Sequence, residues 1–255
     1  MMAVLLTLAI LSILVIVHEW GHYIVSKKIG VAVEEFSIGL GPTLYTNQGK
    51  ETLFSIRALP IGGFCRLRGE AEDTEEQASF DSKDPTAFVN RTKLERFLIL
   101  LAGSGMNFIF GIICLTILGI YKDRALVSGV QYGLTVAVHI VVTTFQGLAM
   151  LITGTAGLND VAGPIGMVQL VSEVTTYGWP NTVFFMALLS INLGILNLFP
   201  FPALDGGQIL IIAIEKIIGK DLPQDKVGYI NLIGMLLLLS LAVLVAINDI
   251  RRMMG

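Results

Sequence analysis

The stretch HEWGH, residues 18 to 22, places two histidines and a glutamate near the end of a long apolar run. In a helix, His18 and His22 lie on one face, one turn apart, a spacing that suits two ligands of one tetrahedral zinc ion. Glu19 lies about 100° round the helix from His18, where it can act as a general base toward a water at the metal. The pattern alone is weak, but two of only three histidines in the chain fall here, which favours a metal site.

A third protein ligand is expected elsewhere, and the stretch NLFPFPALDGG, residues 197 to 207, offers one. Pro200 and Pro202 must end the helix before them. Broken backbone at membrane depth is tolerated only where it is buried in protein or lines a water-filled cavity. Asp205 follows the break, and its carboxylate can complete a His-His-Asp set. The alternative is that Asp205 caps the helix that follows it.

The composition places these residues in a membrane protein. The chain of 255 residues is 54% hydrophobic and 15% charged, and its mean hydropathy is +0.75. A helix needs about 20 apolar residues to cross a bilayer. The sequence therefore predicts a single all-α polytopic membrane domain with about four transmembrane helices, at residues 2–24, 97–120, 183–199 and 229–247. Polar residues interrupt the stretch 134–154, which we interpret as an interfacial amphipathic helix, with a fifth span as the alternative.

The distribution of positive charge predicts the orientation. The segment from Val25 to Arg96 holds ten of the seventeen Lys and Arg residues, so this first connection is expected on the cytoplasmic side. His18 lies sixteen residues after Met2, or about 24 Å along a helix crossing a core of roughly 30 Å. The metal site is therefore expected inside the bilayer, near the cytoplasmic face.

Other features limit the possible functions. The net charge of −3 gives no basic footprint, so no nucleic-acid partner is expected. Cys65 is predicted in the cytoplasmic segment and Cys114 inside the second span, so a disulfide between them is implausible. The acidic run from 70 to 76 is interpreted as a solvated loop. Gly103, Asn107 and Gly111 recur every four residues and predict a narrow face for close helix packing.

The motifs together resemble the site-2 proteases, the intramembrane zinc metalloproteases. HEWGH, AGSGMNF (102–108), GPIGMVQ (163–169) and NLFPFPALDGG match the order and spacing of the bacterial envelope-stress subgroup. The resemblance implies Zn²⁺ as cofactor, with His18, His22 and Asp205 as its ligands and Glu19 as the catalytic acid/base. It also implies that Asn197 contacts the substrate helix, with Asn192 a weaker candidate.

The resemblance further implies a small membrane-associated β region on the cytoplasmic side, at about 44–69. The residues fit this expectation, since Phe54 and Ile56 alternate with Ser55 and Arg57. The pair Gly62 and Gly63 predicts the turn of a hairpin and is expected to belong to the substrate-binding region. An exposed edge strand there can pair with an unwound substrate. The alternative is an ordinary cytoplasmic loop.

The chain departs from the family in one respect. Relatives in this subgroup carry PDZ domains after the second span, but only thirteen residues separate Ile120 from Leu134, so no PDZ domain is expected.

The expected function is an intramembrane zinc endopeptidase in the bacterial cytoplasmic membrane. Its expected substrates are single-span membrane proteins within the lipid bilayer, such as anti-sigma factors or signal-peptide remnants, already trimmed by an upstream site-1-type protease. Two alternatives remain open: a divalent-metal transporter that uses the same ligands, and a binding protein that has lost catalysis.

Overall fold

The structure, a computed structural model, describes residues 2–70, 84–157 and 160–254. Most of the described residues are helical, and two long strands form an antiparallel sheet. In chain order the elements are α1 (Met2–Ile29), β1 (Val33–Gln48), β2 (Leu53–Leu67), a 3-10 turn (Phe88–Asn90), α2 (Lys93–Asp123), α3 (Leu126–Ile152), α4 (Pro164–Thr176), α5 (Trp179–Asn197), α6 (Asp205–Ile218) and α7 (Gln224–Met254).

Five of the described helices are long and apolar enough to cross a membrane: α1, α2, α3, α5 and α7. The chain is therefore a mostly helical membrane protein, as the sequence predicts. Helix α3 differs from the expected interfacial helix at 134–154 because it begins at Leu126. The added apolar turns bring it to 27 residues, so its length and composition fit the alternative of a fifth span. Only two residues connect Asp123, at the end of α2, to Leu126.

The described residues group into two compact units. One comprises Met1–Ile10, Asn107–Ile195 and Leu236–Gly255, and the other comprises Leu11–Met106 and Leu196–Met235. The first unit has a core of small and aliphatic residues from α2, α3 and α5, namely Cys114, Leu115, Ala137, Ile140, Ala187, Ile191 and Ile195. The core of the second unit combines sheet and helix residues, namely Val31, Val33, Phe36, Cys65, Leu67, Phe88, Ile99, Leu100 and Ile212.

In the first unit, α2 and α5 pack closely, as the glycine spacing of α2 predicts. The Ser190 hydroxyl donates a hydrogen bond of 2.8 Å to the Asn107 carbonyl, and both residues are fully buried. At Gly111 a Cβ atom would lie 2.6 Å from Ile191 Cγ1, so only glycine allows this approach. Asn107 therefore lies in a helix-packing interface, the role predicted for it.

In the second unit, the sheet contains a buried charge network. Glu35 on β1 accepts hydrogen bonds from Ser55 at 2.5 Å and from Arg57 at 2.7 Å, and it also pairs with Arg66. Burial opposes ionisation of Glu35, but these donors outweigh it and hold the pKa of the carboxyl below its usual value. The network joins the two strands and stabilises their register.

The predicted hairpin turn at Gly62 and Gly63 is wrong, since both residues lie within β2. The strands are instead joined at residues 49–52, where Gln48 lies opposite Leu53. A Cβ atom at Gly63 would lie 2.5 Å from the Ser37 carbonyl oxygen, so this glycine allows the strands to approach. β1 also begins at Val33, before the predicted boundary at 44, because its first residues pack into the core.

Candidate metal centre

Helices α1 and α6 bring the three predicted ligands together. His18 Nε2 and His22 Nε2 lie 3.1 Å apart, and Asp205 Oδ2 lies 3.1 Å from the first and 3.5 Å from the second. Both histidines are buried. Residues separated by more than 180 positions in sequence therefore present three ligand atoms to one point.

These separations fit a tetrahedral zinc ion. Zinc bonds of about 2.0–2.2 Å to nitrogen and oxygen place two ligand atoms about 3.3–3.6 Å apart across a tetrahedron. The observed distances of 3.1, 3.1 and 3.5 Å lie within or close to that range. Asp205 Oδ2 is also buried and meets the geometry of no hydrogen bond with the described residues, although two imidazoles are adjacent. A cation between the three atoms would satisfy this oxygen.

A hydrogen bond from α1 to α2 fixes the orientation of one imidazole. His22 Nδ1 lies 2.9 Å from the Ile99 carbonyl oxygen, which can only accept, so Nδ1 carries the proton. His22 Nε2 therefore has its lone pair directed toward His18 and Asp205. In metal-binding histidines, the ring nitrogen that does not bind the metal typically donates a hydrogen bond to a carbonyl or carboxylate.

Two glycines make room for the imidazoles at the crossing of α1 and α2. A Cβ atom at Gly103 would overlap His22 Nε2 and lie 2.7 Å from His18 Cε1. A Cβ atom at Gly21 would overlap the Ala102 carbonyl oxygen, so α1 already contacts the backbone of α2. The AGSG stretch of α2 thus serves the site itself, in addition to helix packing.

The break between α5 and α6 positions Asp205. Helix α5 ends at Asn197, and α6 begins at Asp205 with Leu204 as its N-cap and no capping hydrogen bond from a side chain. The alternative that Asp205 acts as a helix cap is therefore wrong. Gly206 and Gly207 contact the backbone of the proline segment too closely for any Cβ atom, which seats the start of α6 against it.

Glu19 faces the same cavity and is held by the sheet. The Cys65 N–H on β2 donates a hydrogen bond of 3.0 Å to Glu19 Oε2. The cavity has a volume of about 190 Å³. Its described lining residues are His18, Glu19, His22, Phe64, Cys65, Leu67, Glu70, Ile99, Leu100 and Asp205. A base, three potential ligands and an apolar wall therefore share one cavity.

The predicted substrate-binding residues differ in their positions. Asn197 Nδ2 lies 3.4 Å from both ring nitrogens of His18, so the end of α5 reaches the ligand group. Asn192 instead accepts a hydrogen bond of 2.6 Å from Thr144 on α3 and does not line the cavity. Gly62 and Gly63 are also absent from the described lining, although Phe64 and Cys65 directly after them belong to it.

Sequence reasoning missed Glu70 as a residue of the site. The structure places Glu70 in the cavity lining, so its assignment to a solvated loop is wrong. Residues 71–76 of the same acidic run lie outside the described residues. The missed signal is the position of Glu70 three residues after a strand that carries three other lining residues, Phe64, Cys65 and Leu67.

A buried ion pair supports the ligand-bearing helices. Arg96 on α2 lies 3.2 Å from Glu215 on α6, and both side chains are almost fully buried. Glu215 also accepts a hydrogen bond of 3.1 Å from the Leu222 N–H after the end of α6. Arg96 lies one turn before Ile99, so one turn of α2 contacts both α6 and His22.

Comparison with known proteins gives a consistent result. The profile of peptidase family M50 matches residues 6–241. The chain is similar to a Clostridium acetobutylicum protein with a provisional zinc metalloprotease name, at 28% identity covering 96% of this chain and 97% of that protein. It is also similar to the zinc metalloprotease RasP of Shouchella clausii, at 24% identity covering 96% and 98%. These alignments extend over 336 and 409 positions against 255 residues here, so both relatives contain segments without a counterpart.

Proposed function

Since the chain belongs to peptidase family M50, the site-2 proteases, we propose that it is an intramembrane zinc endopeptidase. It hydrolyses peptide bonds within or near the transmembrane segments of single-span membrane proteins. The observation that carries this proposal is the convergence of His18, His22 and Asp205 beside Glu19 in one cavity of a membrane protein.

Each side chain of the group has a separate task. His18, His22 and Asp205 hold the zinc ion, and the hydrogen bond from His22 to Ile99 keeps one ligand nitrogen in its metal-binding form. When bound, zinc supplies Lewis acidity for the scissile carbonyl and makes the attacking water more acidic. Glu19 takes a proton from that water and returns it to the leaving amide nitrogen.

The Cys65 N–H keeps Glu19 directed into the cavity. Its hydrogen bond to Oε2 leaves Glu19 Oε1 available for the proton transfer. Because the donor belongs to the backbone of β2, the position of the sheet sets the direction of the catalytic carboxylate. This coupling gives the sheet a role in catalysis beyond substrate contact.

Substrate must be partly unwound before it can be cut. A transmembrane helix hides its carbonyls inside its own hydrogen bonds, so a short extended piece has to reach the metal. Asn197 supplies an amide at the ligand group that can bind the freed backbone. The segment of β2 around Gly62 and Gly63 offers backbone beside the cavity for pairing with an extended strand.

We infer that the protein crosses the bacterial cytoplasmic membrane with five spans, the alternative to the four expected from the sequence. The concentration of Lys and Arg between α1 and α2 supports a cytoplasmic location for the sheet, so the site lies inside the bilayer near that face. The two-residue connection between α2 and α3 leaves no PDZ module at that point of the chain. Its substrates are expected to be products of an upstream site-1-type protease, such as trimmed anti-sigma factors.

The test compares Glu19→Gln with wild type for zinc content and for cleavage of a tagged transmembrane substrate in detergent. We expect zinc to be retained and cleavage to fall by about 10²–10⁴-fold, the usual contribution of a general acid/base. Glu173→Gln, at an exposed position on α4, is the matched control and should cleave normally. Cleavage at the wild-type rate by Glu19→Gln would refute the mechanism. Zinc flux in proteoliposomes without any proteolysis would favour a transporter.

A further inference from the structure

Glu70 lies in the catalytic cavity but has no task in the mechanism above. β2 ends at Leu67, and the Glu70 N–H donates a hydrogen bond of 3.3 Å to the Leu67 carbonyl. Gly69 between them has a φ of 70°, the left-handed conformation that glycine adopts without strain. This turn reverses the chain and directs Glu70 back to the cavity that contains Glu19 and Asp205.

The Glu70 carboxylate accepts a hydrogen bond from the backbone of Leu67, and neither Lys nor Arg lies among the described residues that line the cavity with it. The neighbouring cation, Arg68, is instead engaged by Glu34 at 3.2 Å and Asp84 at 3.4 Å. Burial raises the pKa of Glu70 to about 7, because the ionised carboxylate is kept from water. A cation entering the cavity would relieve that cost.

The charge of the cavity favours such a cation. The described lining residues include three carboxylates, on Glu19, Glu70 and Asp205, and neither Lys nor Arg. A zinc dication balances two of these negative charges, which leaves one. The remaining lining residues, such as Phe64 and Leu100, form an apolar wall against which the methylene groups of a long side chain can pack.

We propose that Glu70 is a specificity-determining residue, which accepts the ammonium or guanidinium group of a Lys or Arg near the scissile bond of the substrate. The inference rests on the proposed function, since it concerns the same cavity. It makes a basic residue close to the cut a preferred feature of the substrate.

The test uses the full chain in detergent and a set of synthetic transmembrane peptides. Each peptide carries a single Lys at one position flanking the cut, and its partner carries norleucine, which has a similar length and no charge. In wild type we expect kcat/KM to be about tenfold higher for Lys than for norleucine at one or two positions, as for one hydrogen bond to a charged group. In Glu70→Gln this ratio should fall to about one.

Charge reversal tests the contact directly. Glu70→Lys should cleave a peptide with Glu faster than one with Gln at the same position. Glu70→Lys and Glu70→Gln should both retain the wild-type zinc content. Glu173→Gln, which changes an exposed carboxylate on α4 outside the described cavity lining, should keep the wild-type ratio.

The possible failures are distinguishable. Cleavage by wild type with ratios near one at every position would overturn the inference alone, as would a Lys preference that persists in Glu70→Gln. No cleavage of any peptide by zinc-loaded wild type would overturn the proposed function, and the inference with it.

Discussion

Gly103→Ala adds one methyl group where α2 faces the two imidazoles. The new Cβ atom would overlap His22 Nε2 and lie 2.7 Å from His18 Cε1, so the ligand side chains must move. Separation of the helices would relieve the overlap only by opening the close contact between Gly21 of α1 and the Ala102 carbonyl, which costs packing energy of its own. The change therefore acts on the geometry of the metal site itself.

The expected magnitude follows from the cost of overpacking. An added methyl group in a close-packed interior costs about 1–3 kcal/mol. If that free energy is lost from zinc binding because the imidazoles are displaced, zinc affinity drops by about 5- to 150-fold, since 1.4 kcal/mol corresponds to a factor of ten. Cleavage at limiting zinc should fall in parallel, and excess zinc should restore part of it.

The assay is a competition titration of metal-free protein in detergent against a chromophoric zinc chelator. Gly105→Ala, two residues further along α2, is the matched control, because a Cβ atom there has no neighbour within 4 Å. It should bind zinc as wild type does and stabilise the helix by up to about 1 kcal/mol. Equal zinc affinity for Gly103→Ala and Gly105→Ala would refute the reasoning that the imidazoles occupy the space beside Gly103.

Three further predictions concern residues outside the ligand set. Asn197→Ala should retain zinc but lower kcat/KM by about tenfold or more, because one hydrogen bond to the substrate is lost. Asn192→Ala should mainly lower thermal stability. Equal kinetic losses in the two variants would contradict a substrate contact specific to Asn197. Glu215→Ala should destabilise the protein by about 3–5 kcal/mol, because it leaves Arg96 buried without its partner. Asp221→Ala removes one partner of an exposed pair and should cost at most about 1 kcal/mol. Unfolding in detergent measures both. The fold lowers the pKa of Glu35 from its ordinary value of 4.5, so its stabilisation is fully present above that pH and is lost as pH falls through the folded pKa. Glu35→Gln should therefore flatten the acid limb of a plot of melting temperature against pH, and an unchanged limb would contradict the network.

The parts of the site that depend on local patterns could be predicted from the sequence. The i, i+4 spacing of His18 and His22 fixes a shared helix face wherever the helix lies. The prolines before Asp205 end a helix for reasons of backbone chemistry alone. The structure brings these two segments together, and the distances between their ligand atoms suit zinc.

The parts that depend on tertiary contacts could not be predicted in this way. Gly62 and Gly63 have the composition of a turn, but Gly63 serves the close approach of two strands, which only the pairing reveals. Glu70 stands at the head of an acidic run typical of a solvated loop, yet the turn at Gly69 returns it to the cavity. The polar residues of α3 suggested an interface, and Thr144 bonds Asn192 on another helix instead.

The most direct test of the account is to locate the metal by anomalous scattering at the zinc absorption edge, in crystals of the wild-type protein. We expect one strong peak, within roughly 2.0–2.2 Å of the nearest His18 nitrogen, His22 Nε2 and an Asp205 oxygen. A zinc peak bound elsewhere, or bound by the histidines with Asp205 turned away, would contradict the claim that these two distant segments form one catalytic metal centre.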